Sequence, residues 1–254
     1  MLQQTQAPRV AARYLDFLSR FPSPKACAGA GPGQVMRAWA GLGYNRRALH
    51  LYRAAALIVE RHGGRVPADL GSLLALPGVG TYTARAVLAF AFGQPLGVVE
   101  TNTARVLARA VAGQSLAPRD AQELADRLAL TDRAWEWNQA LMDLGALVCL
   151  TSEPACSRCP LAAGLCSWHH EGRPSPDPAR GSAGTSRGQT PFAGSDRQGR
   201  GLLVAAARRG GMAASEIARA AGWPDQPDRA LRLADQLVAE GLLRRDPDGR
   251  LGLP

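Results

Sequence analysis

Four of the five cysteines, Cys149, Cys156, Cys159 and Cys166, fall within eighteen residues, a thiolate density that can hold a metal ion or a metal cluster. One close couple, with two residues between its members, stands between flanking cysteines set off by six residues on either side. A disulfide framework does not suit an intracellular chain of enzyme size. Zinc would suit four thiolates, but zinc ribbons pair two close couples across a longer loop. A compact loop of this kind can wrap a [4Fe–4S] cubane, and spacing alone puts the cluster only slightly ahead of zinc. The fifth cysteine, Cys27, lies far away and reads as a small buried apolar residue.

A second motif suggests an anion site. Leu76-Pro77-Gly78-Val79-Gly80-Thr81-Tyr82-Thr83 stands between two predicted helices. Gly78 and Gly80 let the backbone turn tightly and come close to a ligand. A helix starting near Thr81 offers unpaired N–H groups and the positive end of its dipole to a phosphate. The segment could be an ordinary helix–helix turn. Two glycines flanking one apolar residue after a proline favour a helix–hairpin–helix clamp on a DNA backbone.

These groups must be positioned by helices. Hydrophobic residues make up 46% of the 254-residue chain and aromatics only 6%, so the core is built from Ala, Leu and Val, which favours an all-α fold over a β-sandwich. Apolar periodicity predicts helices near 7–20, 33–41, 45–62, 69–75, 81–92, 100–112, 118–129 and 134–147. The breakers between them include Pro22-Ser23-Pro24, Gly63-Gly64 and Gly93-Gln94-Pro95. Residues 171–198 turn rich in Pro, Gly, Ser and Arg and read as a mobile linker. From 199 to 254 the pattern predicts helices near 201–209, 214–221 and 227–241 and a terminal β-hairpin, either a small winged-helix-like domain or a generic three-helix module.

The net charge of +9 admits a well-solvated surface or a nucleic-acid partner. Lys25 is the only lysine among the 30 basic side chains, an arginine bias that says little about phosphate recognition by itself. No apolar run approaches the roughly eighteen residues needed to span a bilayer, and the N-terminus lacks the order of a signal peptide. A cytoplasmic, nucleoid-associated monomer is expected.

The chain resembles the endonuclease III-like, helix–hairpin–helix DNA glycosylases, and within them the adenine-specific mismatch glycosylases in the form found in actinobacteria. The resemblance covers residues 1 to about 170 as a glycosylase domain. It is carried by Met1-Leu2-Gln3-Gln4-Thr5-Gln6, Gly41-Leu42-Gly43-Tyr44, the hairpin, Val98-Val99-Glu100-Thr101-Asn102, the segment Trp137 to Gly145, and the cysteine loop at 149–166. Phe192-Ala193-Gly194-Ser195-Asp196-Arg197-Gln198 and the tail are similar to what actinobacterial members carry at their C-terminus. The resemblance implies excision of adenine opposite 8-oxoguanine or guanine in duplex DNA, with the adenine flipped from the helix. Glu100 would stand where a carboxylate stabilises the oxocarbenium-like sugar, with Tyr82 and Asn102 beside it. Gln4, Leu42 and Tyr44 would meet DNA at the mispair, and Gly78, Gly80 and Thr81 its backbone. The four cysteines would hold a structural [4Fe–4S] cluster.

Three departures qualify the resemblance. It places the base-protonating glutamate immediately before the segment matched by Met1, as though the chain started at an internal methionine. It places an aspartate where Glu100 stands, one methylene shorter, and Glu100 could simply begin a helix. The last two cysteines are one residue further apart than is common in relatives. A bifunctional glycosylase/lyase would need a Schiff-base lysine, and Tyr82 occupies that position. A non-catalytic DNA-binding relative remains the alternative from a different class, and a zinc-dependent transcription factor a remote further one.

Overall fold

Ser23 and Pro24 show how local chemistry builds this fold. The Ser23 hydroxyl accepts the Ala26 N–H and Pro24 takes the first turn, so a segment expected to break structure instead starts a helix. The computed structural model describes residues 1–182 and 191–254. In chain order its helices are α1 (Ala7–Arg20), α2 (Pro24–Ala30), α3 (Pro32–Ala38), α4 (Arg46–His62), α5 (Leu70–Leu74), α6 (Thr81–Phe92) and α7 (Thr101–Val106). Then follow α8 (Pro118–Leu128), α9 (Ala134–Leu147), α10 (Ser167–His170), α11 (Asp196–Arg208), α12 (Ile217–Ala220) and α13 (Pro227–Ala239). The only strands among the described residues are the antiparallel pair β1 (Arg244–Arg245) and β2 (Leu251–Gly252). This is the all-α class that composition predicts.

The described residues divide into two compact units. One takes Met1–Pro67, Leu76–Gly78 and the described part of Gln189–Pro254, and the other Ala68–Ala75 and the described part of Val79–Gly188. In the first unit, a single apolar cluster runs through Val10, Phe17, Met36 and Trp39 of the N-terminal helices and Leu203, Leu237 and Leu253 of the C-terminal ones. Phe17 stacks edge-on against Phe21 at 4.9 Å and Trp39 at 6.0 Å. Arg208 on α11 donates to the Met36 carbonyl at 3.0 Å and Asn45 Oδ1 at 2.7 Å. A Cβ on Gly33 would sit 2.4 Å from the Pro254 carbonyl oxygen, so the absent side chain there lets the tail close on α3. Cys27 is buried in this cluster, and burial pushes its thiol up to about 11, as befits an inert apolar filler.

In the second unit, α7 runs on without a break into a π-helical stretch at Leu107–Ala112, and α9 packs along α7. The Asp69 carboxylate caps α5 by accepting the Ser72 N–H at 2.8 Å. The segment expected to be a mobile linker is fixed in its first part. Trp168 donates to the Pro174 carbonyl, Asp177 pairs with Arg109, and the Ser182 hydroxyl accepts the Leu116 N–H. Residues 183–190 of that expected linker lie outside the described residues.

Candidate active site and cysteine loop

Glu100 is delivered by an extended segment pinned at successive residues. Asn138, buried on α9, accepts the Val98 N–H at 2.8 Å and donates to the Leu96 and Ala134 carbonyls. Asp126 Oδ1 accepts the Gly97 N–H at 2.9 Å and an Arg85 N–H at 2.6 Å. Gly97 must be glycine, because a Cβ there would stand 2.5 Å from that of Ala125. Glu100 then caps α7, its Oε1 accepting the Thr103 N–H at 2.9 Å. Its Oε2 has no hydrogen-bond partner among the described residues. Tyr82, on the first turn of α6, is 43% exposed, and its phenol is raised first by burial and then by the negative charge of Glu100. The structure thus brings Glu100 and Tyr82 within electrostatic reach of each other.

Asn102 is tied into a different network. Its Oδ1 accepts an N–H from Arg105 at 2.7 Å, and the same buried guanidinium donates to the Gly145 and Cys149 carbonyls, each at 2.6 Å. A Cβ on Gly145 would come 2.6 Å from that of Asn102, so this glycine sets the closeness of α7 and α9. Sequence reasoning missed Arg105 and its neighbour one turn on, Arg109. The signal was available: two arginines at i, i+4 on the face of a helix whose other residues, Val106, Leu107, Ala108 and Ala110, are apolar and buried.

The four loop cysteines line one small cavity of about 20 Å³, together with Arg109, Trp168 and His169. Arg109, 1% exposed, donates to Cys149 Sγ at 3.4 Å and to the Leu150 and Thr151 carbonyls, and pairs through two N–H groups with Asp177. The Cys166 thiol is raised by burial first, and further by Cys149, Cys159 and Cys156, while a backbone N–H opposes the shift. The thiols are therefore mutually close. Among the described residues no group of three or more His, Cys, Asp or Glu is drawn together tightly enough to ligate a single metal ion. The donor set nonetheless fits a multi-thiolate group. All four cysteines line one cavity, a buried cation touches the sulfur of Cys149, and His169, which lines it too, has its Nδ1 buried without a partner among the described residues.

In the first unit, Gln4 and Tyr44 share an uncommon backbone state, with φ at 56° and 47°. Arg47 holds both segments. Its guanidinium donates to the carbonyls of Met1, Gln3 and Leu42 and to the Thr5 hydroxyl, and lies over the rings of Trp39 and Tyr44 at 5.2 and 5.6 Å. Leu42, expected to meet DNA, is 1% exposed, and its side chain belongs to the apolar cluster. Its contribution is the carbonyl that accepts from Arg47 and Thr5. The Leu at this place fills the core because the glycines on either side turn the backbone, with φ at 85° and 70°.

The hairpin glycines differ in what they do. Gly78 has φ at 77°, and a Cβ there would lie 2.6 Å from that of His50, so this position needs glycine twice over. Gly80 is the N-cap of α6, and a Cβ there would meet nothing within 4 Å. Its carbonyl accepts the Ala84 N–H at 2.9 Å, and Thr81 opens the helix that follows. An open face before a twelve-residue helix is what approach of a phosphate requires.

No helix among the described residues is long and apolar enough to cross a membrane. Residues 1–129 match the family described as HhH-GPD superfamily base excision DNA repair protein. Over 261 residues, the whole chain is 41% identical to an adenine DNA glycosylase of Mycobacterium tuberculosis, covering 83% of that protein. It is 40% identical over 257 residues to an adenine DNA glycosylase of Mycolicibacterium smegmatis, again along its whole length and over 84% of the relative. Among solved structures, a thermostable thymine-DNA glycosylase superposes with a TM-score of 0.61 at 28% identity, over 67% of this chain and 80% of that one. By sequence along its whole length and by fold, the chain belongs to the HhH-GPD superfamily of base excision DNA repair proteins.

Proposed function

We propose that this protein is a monofunctional adenine DNA glycosylase that hydrolyses the N-glycosidic bond of adenine paired with 8-oxoguanine or guanine in duplex DNA. The observation that carries the reading is the state of Glu100: one carboxylate oxygen is committed to the α7 cap, and the other is unbonded beside Tyr82. The adenine glycosylase relatives, matched along the whole chain, support it.

In this reading adenine is taken out of the stack. The bond between the sugar's anomeric carbon and adenine breaks, and its electron pair leaves with the base, which is protonated. Positive charge develops on the sugar, and the Glu100 carboxylate stabilises it. Water then adds its hydroxyl to the anomeric carbon and releases a proton. Tyr82 borders the carboxylate, and Asn102, next in the α7 turn, is held by Arg105. The base takes its proton from an acidic side chain acting as general acid. Gly78, Gly80 and Thr81 grip the DNA backbone, and Gln4 and Tyr44 keep the place of the partner base open.

Cys149, Cys156, Cys159 and Cys166 would hold a [4Fe–4S] cluster, which when bound supplies a rigid multi-thiolate knot and no redox step. Around it, Arg109 and Asp177 fasten the loop to the π-helical stretch after α7. The protein acts as a monomer and locates with the nucleoid. The test is single-turnover release of adenine from a duplex pairing it with 8-oxoguanine, using the full-length protein. Release that depends on Glu100 supports the reading. Failure to release adenine from any mispair, with DNA binding intact, refutes it in favour of a non-catalytic relative.

A further inference from the structure

The residues lining the cysteine cavity bring three nitrogen-bearing side chains to it, those of Arg109, Trp168 and His169, and the four cysteine sulfurs are their only side-chain acceptors. The other lining residues are apolar, Val106, Leu144 and Leu161 among them. All five N–H positions of Arg109 are committed. Two go to the Asp177 carboxylate, one to Cys149 Sγ at 3.4 Å, and one each to the Leu150 and Thr151 carbonyls. The Trp168 indole N–H is taken by the Pro174 carbonyl at 2.9 Å. That leaves His169, whose Nδ1 is buried and has no hydrogen-bond partner among the described residues. A buried ring nitrogen left unpaired is destabilising, so its position calls for a partner.

The backbone that carries His169 is well anchored. It stands three residues after Cys166, in the single turn of α10, and its own N–H bonds the Cys166 sulfur. The His170 N–H returns to the Cys166 carbonyl at 2.9 Å. Before it, the Ser167 hydroxyl donates to the Ala110 carbonyl at 3.2 Å, and the Arg109 guanidinium carbon lies 5.0 Å from the centre of the Trp168 ring. The imidazole therefore borders the cavity from a turn that the fourth cysteine itself begins.

We propose that Nδ1–H of His169 donates a hydrogen bond to sulfur of the [4Fe–4S] group that the four cysteines hold, so that His169 is a positioning residue for the cluster and not one of its ligands. The inference rests on the cluster reading above and deepens it; it is independent of Glu100 and of hydrolysis. Thiolate and sulfide sulfurs carry negative charge, and a donor to them fastens the group and favours its more reduced, more negative state. Arg109 supplies one such donor from the π-helical stretch, and His169 supplies a second from α10.

The test uses anaerobically purified full-length protein and measures its iron and zinc content, the rate at which a chelator strips the iron, and the midpoint potential by voltammetry. His169→Phe keeps a ring of similar size and removes the donor, whereas His169→Asn sets an amide N–H near the place of Nδ1. His169→Phe should lose iron about tenfold faster than the parent, and its midpoint potential should move to more negative values. His169→Asn should lose iron within about twofold of the parental rate and keep the parental potential. Variants that both match the parent overturn the proposal. So does a Phe variant that matches the parent while the Asn variant is impaired, because the ring would then be a filler, and so does equal impairment of the two. A His169→Phe protein that purifies without iron supports the proposal if His169→Asn loads as the parent does, and overturns it otherwise. A parent that carries zinc and no iron ends the cluster reading and this inference together; an iron-loaded parent whose variants match it ends this inference alone.

Discussion

Glu100 performs two tasks that substitution can separate. As a cap it contributes through Oε1 and the Thr103 N–H at 2.9 Å, an interaction whose loss costs about 1 kcal/mol. As a charge it would stabilise an adjacent cation by about 4 kcal/mol if the two stand some 4 Å apart in a medium of effective dielectric about 20. Glu100→Gln keeps an acceptor oxygen for the cap and removes the charge. Stability should therefore change by less than about 1 kcal/mol, whereas single-turnover adenine release should fall about a thousandfold. Glu100→Asp keeps both cap and charge, and it places the carboxylate where the resemblance has it. Its rate should equal or exceed the parent's. The assay is adenine release from an 8-oxoguanine·adenine duplex with enzyme in excess, paired with urea unfolding of each variant. A Glu100→Gln protein that releases adenine at the parental rate would reduce Glu100 to a helix cap and sink the argument.

Four further outcomes are expected. Asp177 is exposed to burial, which would raise its carboxyl, but the Arg109 hydrogen bonds bring it below the usual range, so the stability it contributes is present at neutral pH and lost as pH falls through that lowered value. Asp177→Asn should cost about 3 kcal/mol in urea unfolding at pH 7, because Arg109 is left buried and unpaired, and the deficit should shrink in acid; a pH-independent difference would contradict this. Gly145→Ala should cost about 1–3 kcal/mol by forcing α9 away from Asn102, and should slow adenine release more than Gly29→Ala does, since a Cβ on Gly29 meets nothing. Borohydride should trap no covalent adduct with abasic-site DNA, Tyr82 standing where a Schiff-base lysine would; an adduct at Lys25 would overturn the monofunctional assignment. Anaerobically purified protein should be brown and carry iron in excess of zinc, and colourless protein with one zinc would refute the cluster.

Much of the fold was legible because its signals are local. Periodicity located α1, α4, α6, α8 and α9 to within a residue or two, and the hairpin glycines announced a turn at the start of α6. The losses have physical causes. At α2 a Pro-Ser-Pro sequence was read for its breaking power alone, although serine before proline is also how a helix begins. The start of α11 lies at Asp196 rather than near 201 because the Ser195 cap, and not an apolar residue, sets it. Site residues with a chemical signature, Glu100, Tyr82 and the cysteines, were visible one by one. The partners of the arginines that tie them together were not: Arg105 and Arg109 stand out as charges on an apolar face, but many of the groups that they and Arg47 bond are carbonyl oxygens, which carry no side-chain code. Leu42 shows the opposite error: a motif residue read as a contact because its neighbours are motif residues, when the glycines beside it turn it inward.

The apolar cluster that joins α1–α4 to α11–α13 has a consequence for synthesis. Its two halves are separated along the chain by the whole of the second unit, so the contacts between Met36 and Arg208, or Gly33 and Pro254, close very long loops. The segment Ala68–Ser182 can finish its own contacts while the N-terminal helices still await their partners on the ribosome. Until residues 196–254 emerge, Val35, Met36 and Leu49 present an uncovered apolar face to solvent, a natural client for a holdase chaperone. Nascent chains halted near Ser182 should accordingly be protease-resistant over the second segment and sensitive over the first. The vulnerability of this protein would then lie in the interval of its translation rather than in the finished molecule.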